Sequence, residues 1–220
     1  MLSQNGEDGI LAELFARIPH HRYFVEIGVE DGEQCNAALL ARRYGWRGVM
    51  IEADDACFER LSTTYASLPV TCVQLLVDRE NVGAAFDAAG VPRSLDLLSI
   101  DIDGNDYYVW EALRSFSPSV VVIEYNASFG PRKSVTIEYN PQHGWQRTRY
   151  YGASLTALAK LGARLGYGLI GTDRRGINAF FVRRDLLPIC GFAEKAPQQS
   201  WRPNILIALL PKGSGRLVEP

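Results

Sequence analysis

The chain has 220 residues and a mass of 24.4 kDa, and 47% of its residues are hydrophobic and 22% charged. This composition excludes collagen-like, disordered and disulfide-scaffold proteins, and the length fits one large domain or at most two small ones. Lys and Arg number 23 and Asp and Glu number 25, so the formal net charge of -2 favours neither nucleic acid nor an anionic membrane as a partner.

The features that bear on cellular compartment favour the cytoplasm. The cysteines, Cys35, Cys57, Cys72 and Cys190, have neither a C-x-x-C nor a zinc-finger spacing, which is typical of reduced, buried thiols. No apolar run approaches the roughly 20 residues that span a bilayer. Residues 1–8 are polar and acidic, the reverse of a signal peptide, so we expect a cytoplasmic protein.

Short apolar runs alternate with helical patterns over the first 124 residues. The apolar runs, typical of strands covered on both faces, are 23–29, 48–52, 70–77, 95–100 and 119–124. The helical patterns are 7–17, 34–44, 55–66, 80–89 and 105–115. This alternation predicts parallel strands with right-handed crossovers in one open, doubly wound α/β sheet.

The last part of the chain has a different pattern. Ser154 is a good N-cap for a helix over about 155–166, and two strands, 167–172 and 178–183, follow with only a turn between them. We therefore predict a mostly parallel seven-stranded sheet with a C-terminal antiparallel hairpin, in a domain over 1–190. Its long loop, 126–153, is expected to be functional.

Residues 191–220 are weakly patterned. They form a C-terminal extension that could be a tail, a packing arm or a dimer element, so a homo-oligomer is left open.

The loop after the first strand is acidic and rich in glycine. Gly28 and Gly32 allow close approach of a ligand, and Glu26, Glu30 and Asp31 supply three carboxylates without a G-x-G-x-x-G pattern. These charges repel a pyrophosphate and favour a cationic ligand such as S-adenosylmethionine. The alternative is a tight turn with solvated acids.

Two further acids are candidates for the nucleoside of such a ligand. Glu52 ends the second strand, where a carboxylate can accept both ribose hydroxyls, although NAD sites use the same device. Asp78 follows the third strand and is expected near the adenine edge.

Polar side chains also follow the fourth and fifth strands, which are expected to be neighbours. Asp101, Asp103 and Asp106 lie within six residues, and Glu124 and Asn126 end the next strand. Carboxylate and amide oxygens suit Mg²⁺, so Asp101, Asp103, Glu124 and Asn126 are candidate ligands of a metal that activates a substrate hydroxyl. Alternatively they position hydroxyls or an amino group without metal, and Asp103 or Asn105 simply caps the next helix.

The long loop carries one further catalytic candidate. His143 is its only histidine and could act as a general base, the alternative being a solvated surface residue. Aromatic residues of the same loop either line a substrate site or pack the loop down; they are Tyr139, Trp145, Tyr150 and Tyr151.

With these residues assembled, the chain resembles class I S-adenosylmethionine-dependent methyltransferases, and most closely their FkbM-type branch. The resemblance covers about residues 3–186 and rests on five segments, 3–8, 24–32, 45–52, 101–106 and 178–182. It implies the Rossmann-like methyltransferase fold, with the donor's methionine part at Gly28 and its ribose at Glu52. Residues 126–153 match no family-wide motif.

The resemblance also implies an activity, namely O-methylation of a small polyhydroxylated, sugar or natural-product acceptor. The expected donor-binding residues are Gln4, Glu26, Gly28, Asp31, Gly32, Glu52, Asp78 and Asp101. The expected catalytic residues are Asp103, Glu124 and His143. Two other hypotheses stay open, an NAD-dependent oxidoreductase and a catalytically silent binding domain with this fold.

Overall fold

A computed structural model describes residues 2–220 of the chain. The strands are Tyr23–Ile27 (β1), Arg47–Glu52 (β2), Val70–Gln74 (β3), Leu97–Ile100 (β4), Val120–Glu124 (β5), Thr136–Ile137 (β6), Tyr167–Thr172 (β7), Asn178–Arg183 (β8) and Leu217–Val218 (β9). The helices are Glu7–Phe15 (α1), Ala38–Tyr44 (α2), Asp55–Tyr65 (α3), Val82–Ala88 (α4), Asp106–Ala112 (α5), Leu155–Arg164 (α6), Leu187–Cys190 (α7), Pro197–Ser200 (α8) and Ile205–Ala208 (α9).

Seven of the strands form one sheet in the order β3-β2-β1-β4-β5-β8-β7. The first five strands are parallel, whereas β8 runs antiparallel to both β5 and β7. This arrangement confirms the predicted fold class, a mostly parallel seven-stranded sheet with a C-terminal antiparallel hairpin. The two short strands β6 and β9 pair separately.

Both faces of the central strands β1, β4 and β5 are buried, as the continuous apolar runs predicted, whereas the edge strand β3 is partly exposed. Successive side chains of a strand point to opposite faces. In β1, Val25 and Ile27 join the cluster that includes α5 and α6, whereas Phe24 joins the cluster against α1 and α2. Because the first five strands are parallel, their carboxyl ends lie at the same edge of the sheet, and the loops after β1, β2, β4 and β5 meet there.

One helix begins later than its pattern suggests. The sequence predicts a helix from residue 34, but α2 begins at Ala38. The Glu26 carboxylate accepts hydrogen bonds from the backbone N–H groups of Asn36 and Ala37, both at 2.7 Å. These bonds hold the segment before α2 against the end of β1 in a non-helical conformation.

The two segments without clear periodicity lie together in the structure. Loop 126–153 starts with a 3-10 turn, Ala127–Phe129, and contains β6, which pairs with β9 near the end of the chain. We call residues 201–218 the C-terminal strap, because they cross from the β7–β8 hairpin to this loop. None of the helices in residues 2–220 is long and apolar enough to cross a bilayer.

We expect Gly28→Ala to destabilise the protein far more than Gly45→Ala. Both glycines have a positive φ, which costs other residues about 1–2 kcal/mol, but a Cβ on Gly45 meets open space. A Cβ on Gly28 would lie 1.7 Å from the Asp101 carbonyl oxygen, which adds about 1–3 kcal/mol of overpacking. Urea unfolding measures the difference, and equal losses in the two variants would contradict the close approach of β1 to β4.

Candidate functional site

A cavity of about 540 Å³ lies at the carboxyl edge of the parallel strands. The ends of β1, β2, β4 and β5 form one side, and the start of β8, loop 126–153 and the C-terminal strap form the other. The volume is typical of sites for small molecules and cofactors. The position is where open α/β sheets bind their ligands.

The wall of this cavity is strongly acidic. Its carboxyl groups are Glu7, Glu26, Glu30, Glu52, Asp101, Asp103 and Glu124. Within residues 2–220 no Arg or Lys lines the cavity, and none of these acids takes part in an ion pair. A cavity with this charge favours a cationic ligand.

Some of these acids have a structural role as well. Glu26 is 2% exposed, and burial raises the pKa of its carboxyl, although it also accepts from Asn36, Ala37 and the Ser99 hydroxyl. Glu52 accepts from the N–H of Glu30 at 2.7 Å and from those of Ala53 and Asp54 at 2.8 Å. Its carboxylate therefore fixes the two loops that border the cavity.

The structure brings together five of the eight predicted donor-binding residues. Gln4, Glu26, Gly28, Glu52 and Asp101 all line the cavity. Beside Glu52 lie three apolar residues that sequence reasoning missed, Leu75, Leu76 and Val77. The loop after β3 thus contributes an apolar wall next to a carboxylate, a combination that fits a nucleoside.

Asp31, Gly32 and Asp78, the other three predicted donor-binding residues, lie outside the cavity wall. Asp31 accepts from the Glu33 N–H at 3.1 Å and faces Arg60 at 3.7 Å, while Gly32 packs under Tyr65. Asp78 accepts from the N–H groups of the two residues before α4, at 2.9 and 2.8 Å. Each therefore shapes a turn instead of facing the cavity.

The loop after β4 and the end of β5 form a tight acidic group. Carboxylate oxygens of Asp101, Asp103 and Glu124 lie within 4.8 Å of one another. Burial and, to a smaller extent, the neighbouring charges raise the pKa of all three carboxyls, to about 6 for Asp103. Asp103 also has a φ of 54°, a conformation that costs energy in residues other than glycine. Strain and repulsion are concentrated at this group, as is typical of functional sites.

Asn178, which sequence reasoning missed as a site residue, lies beside this group. It is the register partner of Glu124, so the two side chains share one face of the sheet. Glu7 is fully buried, and its carboxylate accepts from Asn178 Nδ2 at 3.1 Å. Because a carboxylate only accepts, the Asn178 amide must turn its nitrogen to Glu7. Asn178 Oδ1 and Glu124 Oε2 are left buried without partners.

The prediction that Asn126 belongs to this group is wrong. Its Nδ2 donates to the carbonyls of Arg149 and Tyr151, both at 2.9 Å. Its Oδ1 accepts from the N–H and the hydroxyl of Ser128, at 3.0 and 2.6 Å. The amide is fully used in joining the two ends of loop 126–153 and has no free atom for a metal.

His143 lines the cavity and packs on the loop after β4. A Cβ on Gly104 would lie 2.3 Å from its Cδ2, so only glycine permits this approach. Burial lowers the pKa of the imidazole, and a hydrogen bond to the Asp103 backbone partly offsets the shift. Burial therefore favours the neutral form of the ring, and its Nε2 has no hydrogen-bond partner among the described residues.

The aromatic residues of the loop divide into two groups. Trp145 lines the cavity, with its indole nitrogen donating to the Thr148 carbonyl at 2.8 Å. The other three pack the loop. Tyr139 lies against Tyr108, Tyr150 donates to a strap carbonyl, and Tyr151 is buried; none of them lines the cavity.

Three solved structures with a similar fold contain S-adenosylmethionine or SAH or are described as an S-adenosylmethionine-dependent methyltransferase. The N-terminal domain of EvdMO1 with SAH bound has a TM-score of 0.51 and 13% identity, with 82% of this chain and 80% of that chain covered. Aeropyrum pernix fibrillarin with natively bound S-adenosyl-L-methionine has a TM-score of 0.51 and 13% identity over 78% and 74%. An S-adenosylmethionine-dependent methyltransferase from Clostridium acetobutylicum ATCC 824 has a TM-score of 0.52 and 8% identity over 81% and 92%.

The fold is that of the Rossmann-like methyltransferases. No protein-family model and no curated protein matches the sequence. Identities this low show the fold and not the activity.

We expect Asp103→Asn to change how stability depends on pH. The pKa of this carboxyl rises from the usual 3.8 to about 6 in the folded protein. The protonated group therefore contributes fully to the free energy of unfolding below about pH 4, and this contribution is lost as the pH rises through 6. In EDTA, the wild type should lose about 1 kcal/mol more free energy of unfolding between pH 5 and 7 than the variant.

Asparagine keeps the size of Asp103 and tolerates its left-handed backbone. Glu59→Gln, on the exposed surface of α3, is the control and should follow the wild type at both pH values. Parallel pH dependence of wild type and Asp103→Asn in urea unfolding would contradict the raised pKa.

Proposed function

We propose that the protein is an S-adenosylmethionine-dependent methyltransferase of the FkbM type that methylates a hydroxyl group of a small polyhydroxylated, sugar or natural-product acceptor. The observation that carries this proposal is the cavity wall, with seven carboxyl groups and, in the described part of the chain, no Arg or Lys. In this fold such a wall suits a nucleoside that bears positive charge and opposes the pyrophosphate of NAD.

Different residues of the cavity wall suit different parts of the donor. Gly28 lets the backbone come close to its methionine part, and Glu26 and Asp101 supply negative charge for its amino group. Glu52 can accept from the ribose hydroxyls, and Leu75, Leu76 and Val77 can pack on the adenine. When bound, the donor supplies an electrophilic methyl group on a positively charged sulfur.

The remaining polar groups suit a hydroxylated acceptor. Asp103, Glu124 and Asn178 present acceptor oxygens that can orient hydroxyl groups. Burial favours the neutral form of His143, whose Nε2 has no partner among the described residues, so this nitrogen can take the proton that an attacking hydroxyl releases. Loop 126–153 and the strap cover this side and limit access of water.

We expect Glu52→Gln to weaken S-adenosylmethionine binding by about 10-fold or more, because a charge-assisted bond to the ribose is lost. Asp31→Asn, a change in the same acidic loop but outside the cavity wall, should stay within about two-fold of the wild type. Isothermal titration of the donor measures both.

No heat from S-adenosylmethionine at submillimolar concentration, with NADH binding instead, would contradict the proposed function. Donor binding without transfer of labelled methyl to any cell-extract metabolite would instead support a catalytically silent domain.

We propose in addition that Asp101, Asp103 and Glu124 bind Mg²⁺. The support is the oxygen-only donor set together with two buried oxygens without partners, Glu124 Oε2 and Asn178 Oδ1. Hard cations prefer such ligands, and a bound cation would relieve the mutual repulsion of the carboxylates. A cation here would also lower the pKa of an acceptor hydroxyl.

Mn²⁺ binding tests this metal site independently of activity. We expect one Mn²⁺ per chain in electron paramagnetic resonance titrations, competed by Mg²⁺, and at least about 10-fold weaker binding in Glu124→Gln because a charged ligand is removed. Glu111→Gln, on the exposed side of α5, is the control. If the donor binds but Mn²⁺ does not, the acidic group serves the donor's amino group or acceptor hydroxyls without metal.

A further inference from the structure

We propose that the acceptor carries an extended apolar part that lies on α9, so that the substrate is an amphiphile with its reactive hydroxyl at the polar end. This inference rests on the proposed function and names the substrate class of the same site.

The strap that carries α9 is fixed on both sides of the helix. Before α9, the Tyr125 hydroxyl donates to the Arg202 carbonyl at 3.0 Å, and the Trp201 indole donates to the Ala127 carbonyl at 3.1 Å. After α9, the Arg149 N–H donates to the Pro211 carbonyl at 2.8 Å, and β9 pairs with β6. The helix is therefore held in a defined place beside the end of β5.

The side chains of α9 and the residue after it are apolar, yet they are largely exposed. Ile205, Leu206 and Leu209 are 73%, 70% and 79% exposed, the three highest values among the exposed large hydrophobic side chains of residues 2–220. Exposed apolar groups that cluster at a fixed position mark a binding surface.

This surface is continuous with the cavity. Leu206, Ile207 and Leu210 line the same cavity as Glu124 and His143. A molecule whose hydroxyl reaches the acidic group therefore has an apolar path out along α9. On the opposite side of the mouth, Leu76 is also 53% exposed and lines the cavity.

The acceptor is a better occupant of this surface than a second copy of the chain. Three side chains, two on α9 and one directly after it, present far less than the roughly 800 Å² per partner of a stable interface. Leu206 also lines the cavity, so a partner seated on this surface would cover that part of the cavity wall.

Alkyl β-D-glucosides test the proposal, since they join a polyhydroxylated head to an apolar chain of variable length. Calorimetry below the micellar concentration measures the affinity. If about half of each methylene is buried, the affinity should rise about two-fold for each methylene added from methyl to octyl glucoside. Leu206→Ser/Leu209→Ser should flatten this dependence, and Leu206→Met should keep it. Ile189→Ser, an exposed apolar site elsewhere, is the control.

Any of four results would overturn the proposal. Two concern the glucosides: affinity that does not depend on chain length, or a dependence that is unchanged in Leu206→Ser/Leu209→Ser. The other two would assign the surface to a different occupant: self-association of the wild type that the double variant abolishes, or wild-type flotation with phosphatidylcholine–phosphatidylglycerol vesicles that the double variant abolishes.

Donor titration of the same samples separates the acceptor proposal from the proposed methyltransferase function. If S-adenosylmethionine binds but the glucosides show no length dependence, only the apolar acceptor is wrong. If the glucosides show it and the donor does not bind, the proposed methyltransferase function is wrong.

Discussion

The mutual repulsion of buried carboxylates at one edge of the sheet is the constraint on which the rest of the site depends. Asp101, Asp103 and Glu124 have oxygens within 4.8 Å, and two ionised groups about 4 Å apart repel by about 4 kcal/mol at an effective dielectric constant of 20. Parallel strands bring their carboxyl ends together, so acids at the ends of β4 and β5 cannot separate. The fold thus holds an unfavourable arrangement of acids, which costs stability when the three groups are ionised.

Hydrogen bonding separates the acids that hold the structure from those available to a ligand. Glu26 accepts from two N–H groups, and Asp106 accepts from those of Ile102 and Gly104, each at 2.9 Å, so these carboxyls are largely satisfied by the backbone. Glu124 has a buried oxygen with no partner among the described residues, and burial and the neighbouring acids raise the pKa of the Asp101 carboxyl. Buried polar groups are normally paired, so an unpaired oxygen in the cavity wall is open to a ligand.

The sequence was sufficient for the sheet but only partly for the site, and the difference has a physical cause. Apolar runs and helical periodicity reflect burial on regular elements, which is why the sheet and the antiparallel hairpin were predictable from residues 23–183. The sequence predicts Asn126 as a metal ligand because an amide at a strand end looks the same in sequence in two cases. It can bind an ion, or it can form hydrogen bonds to the backbone of a neighbouring loop. Asn178 was missed because its neighbour Glu124 is 54 positions away, and only the antiparallel pairing reveals the contact.

The two sides of the cavity differ in the same way, since one is built from regular elements and the other from segments without periodicity. The side of the cavity where we propose the donor is built on strand ends, whose positions are set by the sheet and whose residues carry recognisable patterns. The side where we propose the acceptor is built from loop 126–153 and the strap, which lack periodicity and hold each other through β6–β9, the Arg149–Pro211 bond and the Tyr150 hydroxyl on the Arg216 carbonyl. Apart from the anchors at Tyr125 and Asn126, the two segments therefore rely largely on each other for their positions. A change in either segment therefore alters the apolar surface at α9 while leaving the strand ends intact, which is how one fold can carry different sites.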